Sequence, residues 1–401
     1  MERYTPKQRR LLLACSAAYT AAYICRTNLT PALGAIQADF GVNAASVGML
    51  PTLFCIPYAA GQIATGYLAD RFRARNLILI GLLGSALMNM LFTVAPSLGV
   101  LLVLWCLNGA FQSMIWTPIV RIFAMNYEGE VRAHALFLIS FTMILGYLIA
   151  WSLSGALTKG VGWRAAFGVS GAVTAIAGFL SCRALRDSGD SVQQSEKGDA
   201  NAPKAMPIGQ LLFKTDLIFV LLLCLFNGYV RDSIMNWAPK MLADTQKIDL
   251  NGALGVILVI PIVNYLGILF GKGVYRKQGG NVSKSMFTMV ALEVVFSLIL
   301  FKFFGAGTFI CAALLALCSA MAYGLNPLIT SLKPMEYMYT GRVALVAGLL
   351  DATIYVGSAF SGTFVGFLRD QIGWSAVFLS WAAFSVLSAL AILPTIKKKH
   401  G

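Results

Sequence analysis

Arg26 and Arg231 are the residues best placed to do chemistry, because each lies inside a long apolar run where a charge is costly. A central intramembrane arginine costs at least ~2.5–3.5 kcal/mol on insertion scales, so something must offset it. Arg26 follows the basic N-terminal anchor by about 16 residues, or ~24 Å of helix, and Arg231 follows Lys214 by about 17. The two guanidiniums are therefore expected at matched depths. Two forks facing one cavity suit a doubly charged oxyanion, since each can bind two oxygens and neither loses its proton. Phosphate esters and dicarboxylates both satisfy that chemistry. The competing reading is structural: snorkelling to an interface, or an ion pair such as Arg231 with Asp232.

Other residues fall on faces with these arginines. Tyr19, Tyr23 and Arg26 stand at i, i+4 and i+7; Gln112 and Trp116, and Asp351 and Tyr355, are i, i+4 pairs. All lie nearer mid-span than the lipid interface, so they are expected to line the cavity rather than anchor the chain. Glu293 and Asp351 are acids in apolar runs, and a lone carboxyl there is either protonated or paired with a base. Each is read as a neutral hydrogen-bonding acid, a proton carrier, or the partner that holds an arginine when the cavity is empty. Asp70 and Arg71 end the segment Gly66-Tyr-Leu-Ala-Asp-Arg71. An acid in so basic a loop suggests more than a charged turn. At the positive end of a neighbouring helix it would latch one conformation.

The elements that must hold these residues follow from composition. Apolar residues make up 58% of the 401-residue chain and charged residues 12%, and the mean hydropathy is +0.74. Soluble domains need about a quarter of their residues charged. This chain can bury its apolar surface only in lipid. Twelve apolar spans are expected, from 11–36 to 374–395, each long enough to cross a bilayer. The polar stretch near the middle marks a linker at 185–214, between a six-helix bundle at 1–184 and another at 215–401. The net charge of +14 reports topology. The Lys and Arg residues concentrate on the side of the N-terminus, which places both termini in the cytoplasm of an inner or plasma membrane and gives no reason to expect nucleic acid. The first apolar stretch is too long for a cleavable signal. The eight cysteines show no metal spacing and read as buried single thiols. The two histidines, His134 and His400, form no cluster, so no enzyme, metal or cofactor is expected.

The halves echo each other. Gly160-Val-Gly-Trp-Arg-Ala-Ala-Phe167 recurs as Gln371-Ile-Gly-Trp-Ser-Ala-Val-Phe378, so that Trp163 and Trp374 each open the last span of a half. Arg26 returns as Arg231, 205 residues later, and Gly66–Arg71 has a weaker counterpart at the same offset in Gly271–Arg276. A parallel duplication with pseudo-two-fold symmetry is expected, with the substrate at the junction of the repeats.

The Gly-x-Leu-Ala-Asp-Arg-x-x-x-Arg loop at 66–75 resembles the signature of the major facilitator superfamily. Within that superfamily, Tyr19-Thr-Ala-Ala-Tyr23-Ile-Cys-Arg26-Thr-Asn28 resembles span 1 of the organophosphate:phosphate antiporters. Phe111-Gln-Ser-Met-Ile-Trp116-Thr-Pro118 resembles their span 4, and Tyr229-Val-Arg231 with Trp237-Ala-Pro239 their span 7; Trp163 and Gly357–Ser358 stand in matching contexts. The resemblance implies that Arg26 and Arg231 grip a phosphoryl group near Tyr23 and Tyr355, and that inorganic phosphate is exchanged by alternating access. The chain departs from the pattern in having Gln62 where a cavity Lys stands in span 2, Met143 where a His stands in span 5, and Asp351 in place of a small residue. A less positive cavity implies a substrate with less negative charge, or one with a cationic group facing Asp351.

Three functions follow. The first is an antiporter of a small organic anion against phosphate, for which a monomer suffices. The second is a proton-coupled carrier of an organic carboxylate, with Glu293 or Asp351 carrying the proton. The third is a membrane sensor on a transporter fold, disfavoured because the termini add only short tails.

Overall fold

The computed structural model describes residues 4–42, 44–186, 205–248 and 259–396. Helix α1 spans Pro6–Thr27, started by a capping box between Thr5 and Gln8 with Pro6 in its first turn. A short interruption at Asn28 separates it from α2, Leu29–Phe40. There follow α3 (Ala44–Arg71), α4 (Ala74–Phe92), α5 (Leu98–Asn126), α6 (Gly129–Gly160) and α7 (Trp163–Ala184). A short α8 (Ile208–Phe213) precedes α9 (Leu217–Gln246), α10 (Ile260–Lys277), α11 (Val282–Phe303) and α12 (Thr308–Pro327). A π-turn at Leu328–Leu332 and a 3-10 segment at Lys333–Thr340 lead to α13 (Val343–Gln371) and α14 (Trp374–Ile396).

Among the described residues, ten helices are long and apolar enough to cross a membrane, and no strand occurs. The two other expected spans fall on α1, which carries basic residues at its start and Arg26 near its end, and on α10. Residues 249–258, which precede α10, lie outside the described residues. The chain is an integral membrane protein.

The chain divides into two compact units, Met1–Lys204 with Tyr337–Ala352, and Ala205–Glu336 with Thr353–Gly401. Most of the expected linker, 187–204, lies outside the described residues. The segment 337–352 groups with the first unit despite its position in the sequence. In that unit α5 packs on α3 and α4, and α1 on α6 and α7. The approach of α6 to α1 is close because Gly146 has no Cβ, which would overlap Tyr23. In the second unit α12 packs on α10, and α14 on α9 and α11, around Tyr229, Phe378 and Trp381.

One clasp occurs in each unit. Trp163 Nε1 donates to Asp39 Oδ2 at 3.2 Å, and Trp374 Nε1 donates to Asp244 Oδ2 at 3.2 Å. The two aspartates stand 205 residues apart, the same offset as the two arginines.

Candidate functional site

In the first unit, Arg26 is the next-to-last residue of α1. It was expected inside a continuous span at 11–36; it stands instead beside the interruption at Asn28. A set of buried side chains bonds the α1 carbonyls around this point. Asn89 and Asn108 each donate to the Cys25 carbonyl at 3.1 Å, Gln112 to Ala22 at 2.9 Å and Thr174 to Ala21 at 3.0 Å. Asn28 Nδ2 donates in turn to Asn89 Oδ1 at 2.9 Å. This network fixes the helix end that carries Arg26.

The Arg26 guanidinium lies over three rings, 5.5 Å from Tyr23, 4.8 Å from Phe54 and 4.7 Å from Tyr58. Rings at these distances attract a cation through their negative faces and offset part of its desolvation. Phe54, Tyr58 and Gln62 stand at i, i+4 and i+8 on α3, which is why they share one face. Gln62 Nε2 donates to Asp351 Oδ2 at 2.6 Å and to the Tyr58 hydroxyl at 2.7 Å, and Tyr58 donates to the same Asp351 oxygen at 3.1 Å. Thr117 Oγ1 donates to Gln62 Oε1 at 2.6 Å, completing the amide's partners. Gly348, one turn before Asp351, makes this possible: a Cβ there would overlap the Gln62 carbonyl. Tyr58 thus joins the cation of Arg26 to the carboxylate of Asp351.

Other expected residues separate by role. Tyr19 packs on Tyr23 at 5.1 Å and on Trp116 at 4.8 Å, and Tyr23 on Tyr147 at 5.4 Å. Trp116 is buried, and its indole N–H has no partner among the described residues. Gln112 gives both amide hydrogens to the protein, one to Ala22 and one to Ser85 Oγ at 3.0 Å, so its geometry is that of a brace. Met143 is buried on α6, next to Thr142, whose carbonyl accepts from Thr20 at 3.4 Å. At the end of α3, Gly66 abuts Ala344 and Leu345 in the first turn of α13. Arg71 is exposed there, and the side chain of Asp70 lies outside the described residues.

In the second unit, Arg231 is 7% exposed in α9. Its Nε and Nη2 donate to Asp232 at 2.8 and 3.0 Å, and Nη1 donates to Asn326 Oδ1 at 2.9 Å. Ser358 donates to the same aspartate. Tyr323 lies 5.7 Å from the guanidinium and Tyr355 is beside it. Three of the five N–H groups are engaged. One hydrogen on each terminal nitrogen remains. Asp351 and Tyr355 share α13 but fall in different units. Glu293 is fully buried on α11 with neither oxygen partnered among the described residues.

Residues 15–348 match the Major Facilitator Superfamily. The chain belongs to that superfamily. The membrane sensor protein UhpC of Escherichia coli (strain K12) is 25% identical over 98% of this chain and 93% of its own. A probable hexose phosphate transport protein of Chlamydia muridarum (strain MoPn / Nigg) is 23% identical over 96% of this chain and 90% of its own. The crystal structure of the major facilitator FucP in the outward conformation matches with a TM-score of 0.76 at 13% identity, over 97% of this chain and 99% of that one. That likeness concerns the fold. These relatives bear the names of a membrane sensor and a transport protein rather than of enzymes.

Four residues around the two arginines were not among the expected lining residues: Phe54 and Tyr58 in the first unit, Asn326 and Ser358 in the second. The spacing of Phe54, Tyr58 and Gln62 on one helical face is a signal that was available. Ser358 stood in a context matching the family, which gave no partner for it; Asn326 had no signal, since its partner is chosen by packing across helices. Lys333 is a further surprise, fully buried with Nζ donating to Asp216 at 3.2 Å, Ser283 at 3.1 Å and Glu336 at 2.6 Å.

Proposed function

We propose that this protein is a secondary transporter that exchanges an organic phosphate, of the hexose phosphate class, for inorganic phosphate by alternating access. The observation that carries the reading is Arg231: a buried guanidinium with two terminal N–H groups still available, in a chain similar to a hexose phosphate transport protein. Arg26 is its counterpart in the first unit, and the two together engage the phosphoryl oxygens. The aromatic series from Trp116 through Tyr19 and Tyr23 to Tyr147 suits the apolar faces of a sugar ring, and the free indole N–H of Trp116 suits one of its hydroxyls. Twelve spans arranged as two six-helix bundles related by a pseudo-two-fold axis, with both termini cytoplasmic, complete the reading; the twin Trp–Asp clasps at the repeat offset support it.

A second reading has a specific observation in its favour. Both arginines come with an acid: Asp232 bonds Arg231, and Asp351 bonds the tyrosine under Arg26. Such a site favours a singly charged anion, a carboxylate, carried with a proton on one of those acids.

The test is counterflow in proteoliposomes loaded with phosphate, with labelled phosphate outside and hexose phosphates and carboxylates as competitors. Exchange that is abolished by Arg26→Ala and inhibited best by a hexose phosphate is expected. Uptake without internal phosphate, driven by a pH gradient, would establish the second reading. Binding of a hexose phosphate by folded protein, with no flux in either assay, would identify a sensor.

A further inference from the structure

Glu293 lies near the middle of α11 and is 1% exposed, and neither carboxylate oxygen has a hydrogen-bond partner among the described residues. Ser385, near the middle of α14, stands beside it, yet no hydrogen bond of sound geometry joins them and the Ser385 hydroxyl is unpartnered as well. Ser388 lies one turn further along α14, buried and unpartnered, and so does Ser319 on α12. Ser319 follows Cys318, whose sulfur accepts from Ser297 at 3.8 Å. Buried polar groups in native proteins are almost always satisfied, and orphans on α11 and on the two helices packed against it call for a missing occupant.

The surroundings define its charge. From Trp374 to Ile396, α14 contains no ionisable residue, and α12 contains only Cys311, Cys318 and Tyr323. Where α10 joins α11, Gln278 bonds Thr288 and Ser285, and Lys272, Tyr275, Arg276 and Lys277 lie toward that end of the helix; Tyr265 is exposed. Lys333 donates to Asp216, Ser283 and Glu336, and Arg231 to Asp232 and Asn326. The lysines of α11 itself, Lys284 and Lys302, are exposed nine residues to either side, so among the described residues no cationic side chain is placed to neutralise Glu293. A bare carboxylate in this setting is not tenable, so its positive partner comes from solution and is small enough to enter a closely packed bundle.

We propose that Glu293 and Ser385 form a binding site for one monovalent cation, a proton or a sodium ion. A proton resides on one carboxyl oxygen and is donated to Ser385 Oγ. A sodium ion takes the carboxylate and hydroxyl oxygens, the hard ligands such an ion requires. The site is separate from Arg231, which lies against Asn326 and Tyr323 further along α12, and it does not depend on which anion the protein carries.

The experiment is the melting temperature of the purified protein in sodium and in choline at equal ionic strength, across acid and alkaline pH, for wild type and Glu293→Gln. A ligand that binds only the folded state raises its melting temperature. Sodium occupancy predicts a sodium-specific rise in wild type that is lost in E293Q and reduced in Ser385→Ala. Proton occupancy predicts a rise of wild type relative to E293Q as the pH falls, equal in both salts. Identical responses of wild type and E293Q to pH and to sodium would overturn the proposal. Should E293Q fail to fold, labelling of wild-type Glu293 by an apolar carbodiimide supplies the reading. Acid-promoted or sodium-protected labelling supports the site, and labelling indifferent to both overturns it.

Discussion

Asp232 holds the side-on edge of the Arg231 guanidinium, Oδ1 on Nε at 2.8 Å and Oδ2 on Nη2 at 3.0 Å, so the next residue in sequence sets the direction of the fork. Asn326 fixes Nη1 from α12, and Ser358 holds the aspartate from α13. On the proposed reading, an anion bound by the remaining N–H groups would have the charge of Asp232, of its own sign, on the far side of the guanidinium.

Asp232→Asn keeps an acceptor toward Nε and removes that charge. The KM for the transported anion is expected to fall about tenfold, equivalent to about 1.4 kcal/mol of binding. Turnover falls with it, because release becomes slow. Initial-rate transport in proteoliposomes checks both, and an unchanged KM would show that Asp232 does not weigh on the ligand.

Arg26→Lys and Arg231→Lys are expected to lower transport at least ~100-fold in folded protein, since a point charge cannot replace a fork aimed by its neighbours. At position 26 the ammonium also loses the flat face that lies over Tyr23, Phe54 and Tyr58. Near-normal counterflow in either variant would remove that arginine from the site.

The spacing of apolar runs revealed where the helices lie, and the rarity of charge within them singled out Arg26, Arg231, Glu293 and Asp351. Same-face spacing also grouped Tyr19, Tyr23 and Arg26, and Tyr23 lies against both of the others. It could not reveal the bond between Gln62 and Asp351, because those residues are 289 positions apart and meet only where Gly348 lets two helices close. Gln112 shows the other limit. An amide in an apolar span looks the same whether it awaits a ligand or braces a carbonyl, and only the positions of Ala22 and Ser85 distinguish the two.

Asn89→Ala should destabilise the first unit by about 1–3 kcal/mol, by leaving buried polar groups short of partners. The groups concerned are the Cys25 and Ser85 carbonyls and the Asn28 amide. A lower melting temperature in detergent checks this. A melting temperature equal to wild type would show that the network does not brace α1.

Asp39, beyond the end of the first span, has its carboxyl held below the usual carboxylate range by the hydrogen bond from Arg164, helped by Trp163. A lowered value means the clasp stabilises the fold above the ordinary carboxylate range and is lost as the pH falls through the lowered one. The pair is exposed, so the effect is small. Melting curves of wild type and Asp39→Asn should differ slightly near neutrality and merge in acid. A gap that persists in acid would assign the stabilisation to something other than the charge.

The brace around the end of α1 also bears on how the protein is made. Helix α1 leaves the ribosome with carbonyls whose donors lie as far on as Thr174, 153 residues after Ala21. At ~5–20 residues per second, that is a wait of roughly 8–30 s. Across that interval the donors from α4, α5 and α7 arrive one after another, and the set around the end of α1 is complete only when α7 has been made. The translocation machinery must therefore shelter a half-finished helix, and a nascent chain stalled before α7 is a ready target for membrane quality control.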